Sequence, residues 1–230
     1  ITGIPDGRIM DIQSSFSDGP EEMIYVLHAY EGFYISADGG ASFNHDSKGL
    51  RSNPQADKMN VPYFSHFKAF ESAGNRQLFL CGFDGLFRHN PNRGWVQEQT
   101  LSQNLVVGLN VSPKYSSDST LVALTYLNGP VISINGGRNW DKKLSGSIMT
   151  EHLKSEGKLR CHDAFICGNN AELWLSSLTS IHVLDFREKK WRAHKICRKN
   201  NIFGIADAGC PGIRWIRRIN NSEDIIVCSN

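Results

Sequence analysis

Four aromatic residues, Phe43, Trp95, Trp140 and Trp191, recur at separations of 52, 45 and 51 residues. Each one opens the last of four short runs with a shared grammar: an apolar run, a second run rich in Leu, Val and Ile, a turn, a third run, then a polar tight turn. The first unit reads RIMDIQSS, MIYVLHAY, GFYIS and SFNHD, and the second YFSHFKAF, QLFLCGFD, GLFRHN and GWVQEQ. The third reads LVVGLNVSP, TLVALTYL, PVISI and NWDKKL, and the fourth HDAFICG, ELWLSSL, SIHVLDF and KWRAHKI. A supersecondary unit repeated at a period near 50 residues cannot bury its apolar faces alone, so neighbouring units must stack.

Four short strands per repeat make the chain all-β, with β-propeller blades of four antiparallel strands. The blades are expected at about 1–50, 61–103, 104–146 and 158–198, with a partial fifth at 204–230. GIRWIRRINN and EDIIVCSN fit the first two strands of that fifth blade, which predicts a fragment of a longer propeller. No amphipathic helical period separates the strands, which excludes a parallel α/β sheet. Residues 149–160, MTEHLKSEGKLR, are the one expected short helix.

Two of the polar turns are echoes of each other: ISADGGASFN at 35–44 and ISINGGRNWD at 132–141. Ser36, Asp38, Gly40 and Phe43 match Ser133, Asn135, Gly137 and Trp140. Asp or Asn holds backbone amides two residues on, Gly accepts a positive φ, and Ser adds a second side-chain bond to the backbone. The motif therefore reads as architecture. These stretches resemble Asp-box (BNR) repeats, with the pattern Ser-x-Asp-x-Gly-x-Thr-Trp, in propellers that include sialidases, xyloglucanases, sortilin-type receptors and the photosystem II assembly factor family. The resemblance covers units one and three well. Unit two keeps Asn90, Gly94 and Trp95, and unit four keeps only Asp185 and Trp191. It implies that the motif lies away from the active face.

A net charge of +2 argues against wholesale nucleic-acid binding, yet residues 187–218 hold ten Lys or Arg against two acidic residues. That basic region predicts an acidic partner surface. No apolar run approaches the roughly 18 residues of a membrane-spanning helix. The six cysteines, Cys81, Cys161, Cys167, Cys197, Cys210 and Cys228, form no CxxC pair and have no zinc spacing, so neither a metal nor another cofactor is expected. Most lie in strand-like runs, where a free buried thiol is the default. Of the two glycosylation-type sequons, at Asn110 and Asn220, the first falls in a strand near the core, which leaves the secretory signal weak.

In a propeller, the turns from second to third strand and the links between blades share one end. Tyr30, Glu31, Asp84, Tyr126 and Asn128, with loops 46–64 and 144–160, are expected on that functional face. Asp11, His66, Lys68, Asn110, His162, Asp163, Arg214 and Arg217 are candidates for the central channel. Asp11, Asp84 and Asp163 are the carboxylates available to a glycoside hydrolase. A sialidase needs arginines drawn from several blades, whereas Arg214, Arg217 and Arg218 share one strand and the Arg-Ile-Pro signature is missing from GIPDGRIM. The expectation is a non-enzymatic module that binds a protein or glycan through its loop face, with Arg214, Arg217 and Arg218 meeting an acidic partner. The alternative is a glycan-active enzyme.

Overall fold

The computed structural model describes residues 2–15, 23–126, 128–142, 163–167, 172–176, 180–195, 213–218 and 225–229. They fall into two compact units, 1–109 and 110–230.

The first unit holds two meanders. β1 (Ile9–Ser15), β2 (Met23–His28), β3 (Gly32–Ser36) and β4 (Asn44–His45) pair in that order. β5 (Phe64–Ser72), β6 (Asn75–Gly82), β7 (Gly85–Asn90) and β8 (Gly94–Gln97) form the second. All these pairings are antiparallel. Side chains alternate across a strand, and both faces here are apolar. On β2, Tyr25 and Leu27 enter a core with Phe33, Phe64, Phe67, Leu78, Leu80, Phe87 and Trp95 between the two sheets. Val26 faces the other way and packs with Tyr34 and Phe43. Phe33 sits edge-on to both Phe67 and Trp95, each at 5.0 Å between centroids.

β9 (Val106–Val111), in which the division between units falls, pairs with β10 (Leu121–Thr125), and β10 with β11 (Gly129–Ser133). Among the described residues, the fourth position of this sheet is a bridge between Ile132 and Asp141. β12 (Asp163–Cys167), β13 (Glu172–Ser176), β14 (Ser180–Asp185) and β15 (Lys190–Lys195) make another four-stranded meander, and β16 (Ile213–Arg218) pairs with β17 (Ile225–Ser229). Each strand overlaps the run expected for it, but β5 extends to Ser72, β6 begins at Asn75 and β11 begins at Gly129, each beyond that run.

Helix placement differs from the expectation. Residues 149–160 lie outside the described residues, and a helix, α1 (Pro54–Met59), stands instead in the link from β4 to β5. Six residues are too few to show an apolar period. Its ends are nonetheless well defined: the Asn53 side chain accepts from Gln55 N and Ala56 N, proline sits in the first turn, and Asn60 stops the helix at φ 51°. A shorter helix, α2 (Tyr115–Asp118), lies between β9 and β10.

Candidate functional site

The two echoed turns share one hydrogen-bond scheme. Ser36 Oγ donates to Asp38 Oδ1 at 2.7 Å and accepts from Gly40 N at 2.9 Å, while Ser42 N donates to Asp38 Oδ1 at 2.9 Å. In the second turn Ser133 Oγ donates to Asn135 Oδ1 at 3.0 Å and accepts from Gly137 N at 2.9 Å, and Asn139 N donates to Asn135 Oδ1 at 2.9 Å. Gly40 and Gly137 have φ of 90° and 86°, a conformation that other residues rarely adopt. Hydrogen bonds from Ser42, then Ser36, hold the Asp38 carboxyl well below its ordinary range. Phe43 and Trp140 are both buried. The motif's polar groups are thus spent on the turn. Ser36→Ala leaves the Gly40 amide without its acceptor and is expected to cost about 1–3 kcal/mol, read as a lowered urea midpoint.

Asn90 and Asp185 anchor the equivalent turns more simply. Asn90 Oδ1 accepts from Asn92 N at 2.9 Å and Arg93 N at 3.1 Å; Asp185 Oδ1 accepts from Arg187 N at 2.7 Å and Glu188 N at 3.0 Å. All four hairpins therefore turn on an Asp or Asn side chain, although only two keep the serine.

In an antiparallel meander, the turn from second to third strand lies at the opposite end from these hairpins. In the first unit that end gathers Tyr30, Glu31, Asp84 and α1. The Tyr30 and Tyr63 rings meet edge-on at 5.3 Å, and Tyr63 Oη donates to Asp57 on α1. That bond first, then desolvation and the charges of Asp57, Tyr30 and Glu31, push the Tyr63 phenol up to about 12. The His28 ring accepts from Tyr30 N and Glu31 N at Nδ1, which fixes the loop's shape. Asn53 Nδ2 donates to the Asp84 carboxylate, and Asp84 O accepts from Gln97 Nε2 at 2.8 Å. Of the residues expected on the loop face, Tyr30, Glu31 and Asp84 thus gather with Asp57 and Tyr63 of loop 46–64. Met59 is 63% exposed and Tyr30 38%. The helix in that loop was not expected, and the Asn53-Pro54 pair was its sequence signal.

The inner strands give Asp11 a different use from the one expected of a catalytic carboxylate. Asp11 Oδ2 lies 2.6 Å from His66 Nδ1 and accepts from Gln13 Nε2 at 3.2 Å and Phe67 N at 3.3 Å. Gln13 in turn donates to Phe67 O at 2.6 Å and accepts from Ala69 N at 3.1 Å. Two side chains of β1 thus stitch it to β5. Ser65 on β5 repeats the device, donating to Val106 O at 2.8 Å. Burial opposes ionisation of Asp11, but the His66 bond and charge, with the bonds from Phe67 N and Gln13, together outweigh it and leave the carboxyl below its ordinary value of 3.8. A depressed carboxyl stabilises the fold above its unfolded-state pKa and loses that contribution as pH falls through the folded one. Thermal melts should therefore show an acid-side loss below about pH 4 that is smaller in Asp11→Asn. An equal loss in both would show that the stitch carries no linked proton.

Lys68 is half-buried on β5 and Asn110 half-buried on β9. Tyr126 and Asn128 lie in the turn from β10 to β11, where Thr125 Oγ1 donates to Gly129 O at 2.6 Å. Asp163 starts β12 opposite Ser176, and Arg214, Arg217 and Arg218 lie on β16. His162, loop 144–160, Cys161, Cys197 and Cys210 lie outside the described residues. Cys81 is buried and free, its thiol pushed up by burial. In the basic region, Arg192 pairs with Glu172. No cluster of metal-ligating side chains occurs among the described residues, and no helix there is long and apolar enough to cross a membrane.

The sequence matches no protein-family model and no curated protein. Solved structures do match in three dimensions. The β-propeller domain of Myceliophteria thermophila Cps50 (Swd1) aligns with a TM-score of 0.62 at 11% identity, over 98% of this chain and 65% of that one. Sqt1 of Saccharomyces cerevisiae aligns at 0.61 and 10% identity, over 96% and 56%. An extracellular domain assigned to a hybrid two component system of B. thetaiotaomicron aligns at 0.59 and 15% identity, over 96% and 25%. The chain thus spans from a quarter to just under two thirds of these proteins. At such identities the likeness concerns the backbone: the chain has a β-propeller fold, with four antiparallel blades, the third closed by a bridge, and two strands of a fifth.

Proposed function

We propose that this is a non-enzymatic propeller module of the Asp-box type that binds a protein partner through the loop end of its blades. The observation that supports it best is α1, inserted between β4 and β5 beside the Tyr30–Tyr63 pair. It carries exposed Met59 and the carboxylate of Asp57 at the end opposite the Asp38 turn. The exposed Tyr30 ring and a flexible thioether suit a protein contact, and Glu31 and Asp57 favour a cationic segment in it. The basic strand β16, with Arg214, Arg217 and Arg218, would take an acidic surface. Two carboxylates that a hydrolase would want free, Asp11 and Asp84, are hydrogen-bonded to neighbouring side chains.

The exposed Tyr30 ring beside Glu31 also suits stacking on a sugar, which keeps a glycan-active protein as the second reading. A photoreactive residue in place of Met59, in the natural-length protein within its source cells, should crosslink a discrete partner. The same probe in place of Ile134, 76% exposed on the second echoed turn, should not. Charge reversal of Arg214, Arg217 and Arg218 should weaken binding of an acidic partner. Turnover of any glycoside, abolished by Asp84→Asn or Asp163→Asn, would replace this reading with an enzyme.

A further inference from the structure

Residues 2–8 repeat the two ends of the linker that joins β4 to β5. Where that linker starts, Lys48 O accepts from Trp95 N at 2.8 Å, and a Cβ on Gly49 would stand 2.2 Å from Trp95 O. Thr2 O likewise accepts from Phe43 N at 3.0 Å, and a Cβ on Gly3 would stand 2.1 Å from Phe43 O. Phe43 and Trp95 are the equivalent aromatics of their blades. Where the linker ends, Tyr63 O accepts from Phe83 N, the residue after β6, at 2.8 Å; Arg8 O accepts from Ala29 N, the residue after β2, at 2.9 Å. An irregularity of register follows in both, between Phe64 and His66 and between Ile9 and Asp11. The seven residues Thr2–Arg8 thus make at both ends the contacts of the sixteen-residue linker Lys48–Tyr63, without α1.

Counted from those register irregularities, Ile9 corresponds to Phe64 and Ile12 to Phe67. Phe64 and Phe67 are 3% and 0% exposed, because the first sheet covers them. Ile9 and Ile12 are 38% and 61% exposed. Two apolar positions that a preceding sheet buries in one blade are open in the other, next to a segment with the end contacts of the β4–β5 linker.

We infer that the Ile9 and Ile12 face of the first blade is the seat of a further blade, whose outermost strand runs directly into Thr2. Phe43 precedes Lys48 by five residues, so the natural reading frame should place an aromatic at about the fifth residue before Thr2, after a polar turn.

The test uses the natural-length protein with a photoreactive benzoylphenylalanine in place of Ile12, digested and mapped by mass spectrometry. Crosslinks within the same chain to a blade that includes the residues before Thr2 are expected. If all crosslinked peptides lie upstream, the whole blade precedes Thr2; if some lie beyond Asn230, the upstream strand closes a ring with downstream ones, and both results support the inference. Ile12→Asp should lower the melting temperature by about 5 °C, with Ile134→Asp near neutral and Ile12→Ala as the milder variant if the first does not fold. Crosslinks to a second copy or to another protein, an Ile12→Asp as harmless as Ile134→Asp, or a reading frame without that aromatic would overturn it.

Discussion

Trp95→Ala is expected to destabilise the protein by about 3–5 kcal/mol, a large share of the stability of an ordinary domain. Trp95 is 3% exposed and closes the core between the first two sheets, edge-on to Phe33. Its indole Nε1 donates to Asp46 O at 2.7 Å and its backbone amide to Lys48 O at 2.8 Å. Truncation therefore leaves a cavity and an acceptor without its donor at the point where one blade hands over to the next. Trp95→Phe keeps most of the ring contact and should cost about 1–2 kcal/mol. Urea denaturation of both variants checks the ordering, and equal losses would place the weight on the Asp46 bond rather than on packing.

Gly49→Ala should be nearly as damaging although it removes no contact. Gly49 sits at φ +94°, and an added Cβ would lie 2.2 Å from Trp95 O and 3.2 Å from Trp95 C, backbone atoms that cannot swing aside. The conformational penalty of about 1–2 kcal/mol and overpacking of about 1–3 kcal/mol together predict a loss of roughly 2–5 kcal/mol. Gly39→Ala separates the two causes. Gly39 has φ +68° with nothing within 4 Å of the added atom, so only the first penalty applies. If the two alanine variants melt together, the close approach of Gly49 to the second blade is not a constraint on folding.

The blade grammar was legible because it is local. A hairpin held by Ser36, Asp38 and Gly40 needs partners only a few residues away, and strands with apolar residues on both faces announce sheets stacked on both sides. The candidate site was legible in part. Antiparallel topology alone sends Tyr30, Glu31 and Asp84 to the end opposite the Asp38 and Asn90 turns. α1 escaped because a six-residue helix has no measurable period, and its cap and proline outweigh propensity only when read together.

The sequence by itself determined the repeat, the strands and their order, since turn chemistry and two-sided apolar strands act over short distances. Only the tertiary structure decided what the polar side chains do. Asp11 meets His66 across 55 residues and Asn53 meets Asp84 across 31, so carboxylates that read as free for chemistry are held by groups from other strands and loops. Tertiary packing likewise singled out Ile12, which no period distinguishes from Phe67. The difference between them is whether another sheet stands opposite, and burial is a property of the neighbour as much as of the residue.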